Sequence, residues 1–242
     1  MAGLYLYGIL QAPGPRHLNV QGIDRQPVQV QVFDPLVLLY SEAQQERYLA
    51  SRANLLAHES VLEKVMAEGH RALLPLQFGL VASDWELVRR DLIEPKQADL
   101  VRLLHHLEGK REVGVKVFWD PDQELQLALN ENPDLKRQRD AMAGAPLGLD
   151  AVVKIGRELE QLLENRRHQI TETFVAILSP LASDRVEGEL LTENMAYNGS
   201  FLIHWEDEPL FAQKVEDLDH LFQGRLRIRY NNFTAPYNFT KL

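Results

Sequence analysis

The chain has 242 residues, with 35 Asp and Glu against 26 Lys and Arg, a formal charge of −9, 45% hydrophobic residues and no cysteine. That length permits one large or two small domains whose cores need no staples. Without cysteine, disulfides, thiolate catalysis, iron–sulfur clusters and Cys-based zinc sites are excluded, and the acidic balance argues against general binding to phosphate backbones.

No apolar run reaches the roughly 20 residues of a membrane span. Met1-Ala2-Gly3-Leu4-Tyr5 lacks the basic and apolar segments of a secretory signal, so a cytoplasmic protein without membrane contact is expected.

In chain order, hydrophobic periodicity predicts strands near 3–10, 28–32 and 36–41, a helix near 44–68 and a strand near 72–78. Helices near 84–93 and 95–108 follow, with Ser83 to Glu86 spaced as a capping box and Pro95 opening the second helix after a break at Glu94. A strand near 111–119 comes next, then short helices between 121 and 143 that start at an Asp120-Pro121 cap. A long helix near 149–180, strands near 184–192 and 200–205, a helix near 208–223 and a strand near 225–231 complete the chain. Asp207 with Pro209 is a looser cap for the 208–223 helix. Asn198-Gly199 is a hairpin-turn dipeptide between the 184–192 and 200–205 strands. Gly69, Gly109 and Gly224 each close a helix just before basic residues and a strand-like run. The Pro13-Gly14-Pro15 loop and the stretch from 143 to 148 are the expected flexible segments.

The second half thus runs strand, helix, strand, strand, helix, strand, the ferredoxin-like order. The first half has the same order with its first helix replaced by the loop 11–27. The expected fold class is α+β: two tandem ferredoxin-like units, the first modified, linked by the helices at 84–108. The domains are 1–109 and 110–242.

The long helix carries Leu149, Gly156, Leu163, Ile170 and Ile177 at every seventh residue, with Val152, Leu159 and Phe174 on the same side. It would be about 48 Å long at roughly 1.5 Å per residue, whereas a six-residue strand reaches about 20 Å. One end must overhang its sheet, and Leu100, Leu104 and Leu107 of the 84–108 region are the expected cover. A partner-binding helix is the alternative.

The chain shows no His-Glu-x-x-His, Walker A, Gly-x-Gly-x-x-Gly or Gly-x-Ser-x-Gly pattern, so no catalytic, cofactor or metal site is expected. His58 falls on the apolar line Leu55, Leu62, Val65 and Met66, where a hydrogen-bonded core histidine is expected and a ligand or proton-switch role is the alternative. Arg225, Arg227 and Arg229 alternate with Leu226, Ile228 and Tyr230. They read as an ion-paired outer sheet face near Glu112 and Lys116, or else as a surface for an acidic partner or nucleic acid. Phe201, Ile203 and Trp205 are needed for the core, which leaves no aromatic stacking platform, so RNA binding is not expected.

Several spaced motifs carry a resemblance. They are Leu4-Tyr5-Leu6-Tyr7-Gly8-Ile9, the Arg52 to Met66 helix with His58-Glu59-x-Val61-Leu62, and Leu73-Leu74-Pro75-Leu76-Gln77-Phe78-Gly79. Gly109-Lys110-Arg111-Glu112-Val113-x-Val115-Lys116 and Ala235-Pro236-Tyr237-Asn238-Phe239 follow. Together they resemble the GvpF/GvpL family of gas vesicle proteins over nearly the whole chain, with GvpF the nearer branch. In place of the family's Gly-Pro pair before the terminal Pro-Tyr, this chain has Asn231-Asn232-Phe233-Thr234.

The resemblance implies a minor, non-enzymatic component of gas vesicles that assists their assembly and contacts the shell protein GvpA, with other gas vesicle proteins as further partners. It brings no catalytic residues and no cofactor. The motif positions Arg52, His58, Glu59, Pro75, Phe78, Gly79, Pro236, Tyr237 and Phe239 are the candidates for structural or partner-contact roles. A small-ligand regulatory module, with an effector held by paired ferredoxin-like domains, is the alternative reading.

Overall fold

The structure is a computed structural model and describes residues 3–142 and 148–240. The expected flexible stretch 143–147 lies outside them. The chain is a mixed helix and sheet protein with two antiparallel sheets and one long helix. It divides into two compact units, one of residues 1–113, 202–206 and 232–242, the other of residues 114–201 and 207–231.

In the first unit β1 (Gly3–Gln11), β2 (Gln29–Phe33), β3 (Leu36–Ala43) and β4 (Leu73–Pro75) form a sheet of order β2-β3-β1-β4, and β5 (Val81–Ala82) also pairs with β1. Leu36, Val37, Leu38 and Leu39 are all buried, as a strand covered on both faces requires. On one face α1 (Arg52–Ala67) brings Val61, Leu62, Val65 and Met66 into the same core as Val37 and Leu39. On the other, Tyr40 packs edge-on against Trp85 at 4.7 Å, and α3 (Gln97–Leu107) lies on β1 and β4.

The register of β1 breaks once. Leu6 pairs with Tyr40 and Gly8 with Leu39, so Tyr7 is an extra residue. The bulge resets the alternation, and Tyr5, Tyr7 and Leu10 all enter the α1-side core.

Several sequence expectations are corrected in this unit. The helix expected from residue 44 starts at Arg52, because the Ser51 hydroxyl accepts from the Asn54 amide at 3.2 Å and caps it there. Leu55 is 43% exposed, so Val61 rather than Leu55 completes the buried stripe around His58. The strand expected over 72–78 ends at Pro75, and the chain turns through Gly79 (φ 85°) to make the unexpected β5. The cap near residue 84 is Asp84, whose carboxylate accepts from the Leu87 amide at 2.8 Å, while Ser83 donates to Asp84. Pro95 does not follow a break. From α2 (Trp85–Val88) the chain continues through a π-helical turn over Arg89–Ile93 and a 3-10 turn over Glu94–Lys96 into α3.

The second sheet has the order β7-β8-β6-β9, from β6 (Lys110–Phe118), β7 (Asp184–Glu187), β8 (Met195–His204) and β9 (Arg227–Thr234). Asp120 caps α4 (Pro121–Glu131) as expected, accepting from the Asp122 and Gln123 amides at 3.1 and 3.2 Å. The looser cap expected at Asp207 makes no side-chain bond at the start of α7 (Glu208–Phe222). Helix α6 (Leu149–Leu178) buries Ile170, Phe174 and Leu178, and Phe174 stacks on Phe222 of α7 at 5.7 Å.

The cover expected for α6 is corrected as well. Leu100, Leu104 and Leu107 are buried within the first unit, where α3 packs on β1 and β4. Instead α6 packs on α4, α5 (Pro133–Met142) and α7.

The Asn198-Gly199 turn is not a turn. Both residues lie inside β8, and the connection from β7 falls in the 188–194 segment. The glycine provides space: a Cβ at Gly199 would lie 2.3 Å from the Tyr197 hydroxyl, so the Tyr197 ring occupies the room a side chain would take.

A buried carboxylate ties this unit together. Glu124 of α4 is 1% exposed and faces Arg166 of α6 at 3.0 Å and Arg225 at 2.9 Å. Arg166 also reaches Glu131 at 3.2 Å. Paired on two sides, the charge escapes the penalty of lone burial. Of the three alternating arginines, Arg225 is therefore ion-paired, but with Glu124 rather than with Glu112. Arg227 and Arg229 lie over the ring of Phe118 instead.

Candidate functional site

The motif residues converge on the first unit's core, where β1 delivers two tyrosines to a helix histidine. The Tyr5 hydroxyl lies 2.9 Å from His58 Nδ1, and His58 Nε2 lies 3.2 Å from the Leu76 carbonyl. A carbonyl only accepts, so Nε2 carries the proton and Nδ1 is the acceptor. Tyr5 therefore donates to His58, and its oxygen accepts the Gly79 amide at 3.0 Å. The relay runs from Gly79 to Tyr5 to His58 to Leu76. It pins the 76–79 segment to β1 and α1 at both ends.

Aromatic packing closes around the relay. His58 stacks on Tyr7 at 5.4 Å, and Phe78 stands edge-on to His58 at 5.9 Å and to Tyr5 at 6.3 Å. The Tyr7 hydroxyl accepts from the Ile23 amide at 2.8 Å and shares a 2.9 Å hydrogen bond with Ser41. Gly22 is required beside it, since a Cβ there would sit 1.9 Å from that oxygen. Tyr48 accepts from the Gln44 amide at 2.9 Å and donates to Asp24 at 3.0 Å, which fastens the segment between β1 and β2.

Burial sets the protonation of this core. It lowers the His58 pKa from 6.5 to about 4, keeping the imidazole neutral. Burial likewise pushes the Tyr5 and Tyr7 phenols above their ordinary value. The relay's donors and acceptors satisfy one another, so the arrangement holds geometry.

The C-terminal motif docks on the same unit. Thr234 donates to Glu59 at 2.9 Å, while Ala235, Pro236 and Phe239 are buried. Tyr237 packs against the core, its phenol pKa raised by burial and then by the Glu59 charge. Glu63, one turn further along α1, is raised by burial and by Glu59. Asn238 donates to the buried Glu112 carboxylate twice, from its backbone at 3.1 Å and its side chain at 2.6 Å. Beside this strap the Trp205 indole donates to the Lys110 carbonyl at 2.9 Å, with Arg71 and Arg111 over its ring at 4.5 and 4.7 Å.

Of the positions singled out by sequence, His58, Phe78 and Gly79 meet at the relay. Glu59, Pro236, Tyr237 and Phe239 belong to the strap region. Pro75 is buried opposite Gly8 at the end of β4. Arg52 stands apart, exposed on the first turn of α1. Tyr5, Tyr7, Glu112 and Asn238 lie within the quoted motifs but were not among the candidate site residues, and Ser41 lies in none of them. Two tyrosines in a buried strand were the available signal, since a buried phenol needs a partner. Among the described residues no group of three or more His, Asp or Glu could hold a metal ion, and no helix is long and apolar enough to cross a membrane.

The architecture has counterparts among gas vesicle proteins. The family model described as gas vesicle synthesis protein GvpL/GvpF matches residues 3–241, and the chain belongs to that family. Within it the likeness is to GvpF. Gas vesicle protein F of Nostoc sp. (strain PCC 7120) is 50% identical over 241 residues, covering 100% of this chain and 99% of that one. The crystal structure of GvpF from Anabaena sp. PCC7120 superposes with a TM-score of 0.89 at 47% identity, covering 100% of this chain and 97% of that one. That of GvpF from Microcystis aeruginosa gives 0.89 at 48% identity, with 100% of both chains covered.

Proposed function

We propose that this protein is a non-enzymatic accessory component that assists gas vesicle assembly in the cytoplasm by binding the shell protein GvpA. Full-length similarity to proteins named gas vesicle protein F carries the reading. The relay supports it from within the chain, because the histidine and tyrosines at the motif positions are engaged with one another as a scaffold. We read residues 1–109 and 110–242 as two ferredoxin-like units, supported by the shared strand pattern β2-β3-β1-β4 and β7-β8-β6-β9. In this reading the motif residues hold the docking shape of the protein, and other gas vesicle proteins are further partners.

A pull-down with purified, freshly diluted shell protein tests it. Retention of GvpA by the intact protein is expected, weakened by Tyr5→Phe through loosening of the 76–79 segment. Failure of the intact protein to retain GvpA under assembly conditions overturns the reading.

A further inference from the structure

The sheet face of the second unit that bears Phe118 gathers cations on an acidic chain. Gly114 of β6 approaches Asn231 of β9, 3.8 Å from its would-be Cβ to the Asn231 Cβ. Alternation along the two strands puts Lys116 and Phe118 on the same face as Arg229 and Arg227. The guanidinium carbons of Arg227 and Arg229 lie 4.8 and 5.0 Å from the Phe118 ring centre. Lys116, Arg227 and Arg229 are all exposed.

None of these cations has a carboxylate oxygen within 4.0 Å among the described residues, whereas Arg225, two residues earlier, is held by Glu124. By the same alternation Glu112 of β6 lies on this side of the strand, but it is buried and takes hydrogen bonds from Asn238. Like charges on neighbouring strands repel, so a cluster of three without counter-charge carries a cost that an anionic partner removes. Phe118 holds both guanidinium groups over its ring. A guanidinium presents its N–H donors in the fork geometry that binds carboxylates in pairs.

We propose that this face, built from Lys116, Phe118, Arg227 and Arg229, is a docking surface for an acidic polypeptide segment. The net charge of −9 favours a short peptide stretch over a phosphate backbone, whose long charge array would meet the rest of the acidic surface. The proposal does not rest on the shell-protein reading.

Fluorescence anisotropy with a labelled polyglutamate decapeptide tests it on the intact protein. Binding is expected at about 20 mM salt, falling steeply toward about 150 mM. The combined Lys116→Gln, Arg227→Gln, Arg229→Gln variant loses about tenfold or more in affinity. Arg227→Lys with Arg229→Lys, which keeps the charge and removes the fork, loses about threefold. Arg90→Gln, in the first unit, leaves binding unchanged. Melting curves followed by circular dichroism show whether the glutamine variant is folded, and the lysine variant carries the comparison if it is not. Absence of peptide binding at low salt, equal binding by the folded variants, or an equal loss in Arg90→Gln overturns the proposal. Tighter binding of a uridine decanucleotide than of the peptide also overturns it and gives the face to nucleic acid.

Discussion

Tyr5 and His58, 53 positions apart, meet in a buried 2.9 Å hydrogen bond in which the phenol donates to Nδ1. The direction follows from the other ring nitrogen, which must donate to the Leu76 carbonyl. Because Tyr5 also accepts from Gly79, the pair fixes the segment leaving β4.

Tyr5→Phe keeps the ring and removes the hydroxyl, leaving His58 Nδ1 and the Gly79 amide without this partner. A loss of about 1–3 kcal/mol is expected, read as a lower urea midpoint at unchanged slope. An unchanged midpoint would show the relay to be energetically idle.

The histidine gives stability a pH dependence of definite sign. Its pKa is about 4 in the folded protein against 6.5 ordinarily. Between those values the unfolded chain binds the proton and the folded one does not. The histidine's contribution is therefore complete above pH 6.5 and declines as pH falls toward 4, by roughly 3 kcal/mol in all. Urea unfolding at pH 7 and pH 4.5 should show a smaller pH difference for His58→Gln than for the unmodified protein.

Gly199→Ala tests the space argument in β8. Its Cβ would meet the Tyr197 hydroxyl at 2.3 Å, so the ring must leave its place beside Phe174 of α6. The expected cost is about 1–3 kcal/mol. A turn role would predict little change, and thermal melting distinguishes the two.

In the second unit, Glu124→Ala leaves Arg166 and Arg225 facing each other without the buried carboxylate, and about 3–5 kcal/mol should be lost. Glu131→Ala, which removes the carboxylate that is 64% exposed, should cost less than about 1 kcal/mol. Equal effects in denaturant titrations would contradict the central place given to Glu124.

In the strap, Asn238→Ala deprives the buried Glu112 of a 2.6 Å amide donor. A loss of about 1.5–3 kcal/mol is expected, with faster hydrogen exchange concentrated in residues 235–239.

What the sequence determined alone was local. Gly69, Gly109 and Gly224 do adopt positive φ at 104°, 70° and 73°, and Asp120 does cap its helix, because these conformations follow from sterics within a few residues. The buried position of His58 was also legible from helical spacing. Tertiary structure decided the rest. Only the folded chain brings Tyr5 to His58 and Asn238 to Glu112, the latter across 126 positions. Only there does Gly199 become a space for a neighbouring ring, when its local pairing with Asn198 favours a turn. Burial explains both outcomes: in the core, the cost of an unpartnered polar group or an overlapping atom exceeds any local preference, and that cost depends on residues the local sequence does not contain.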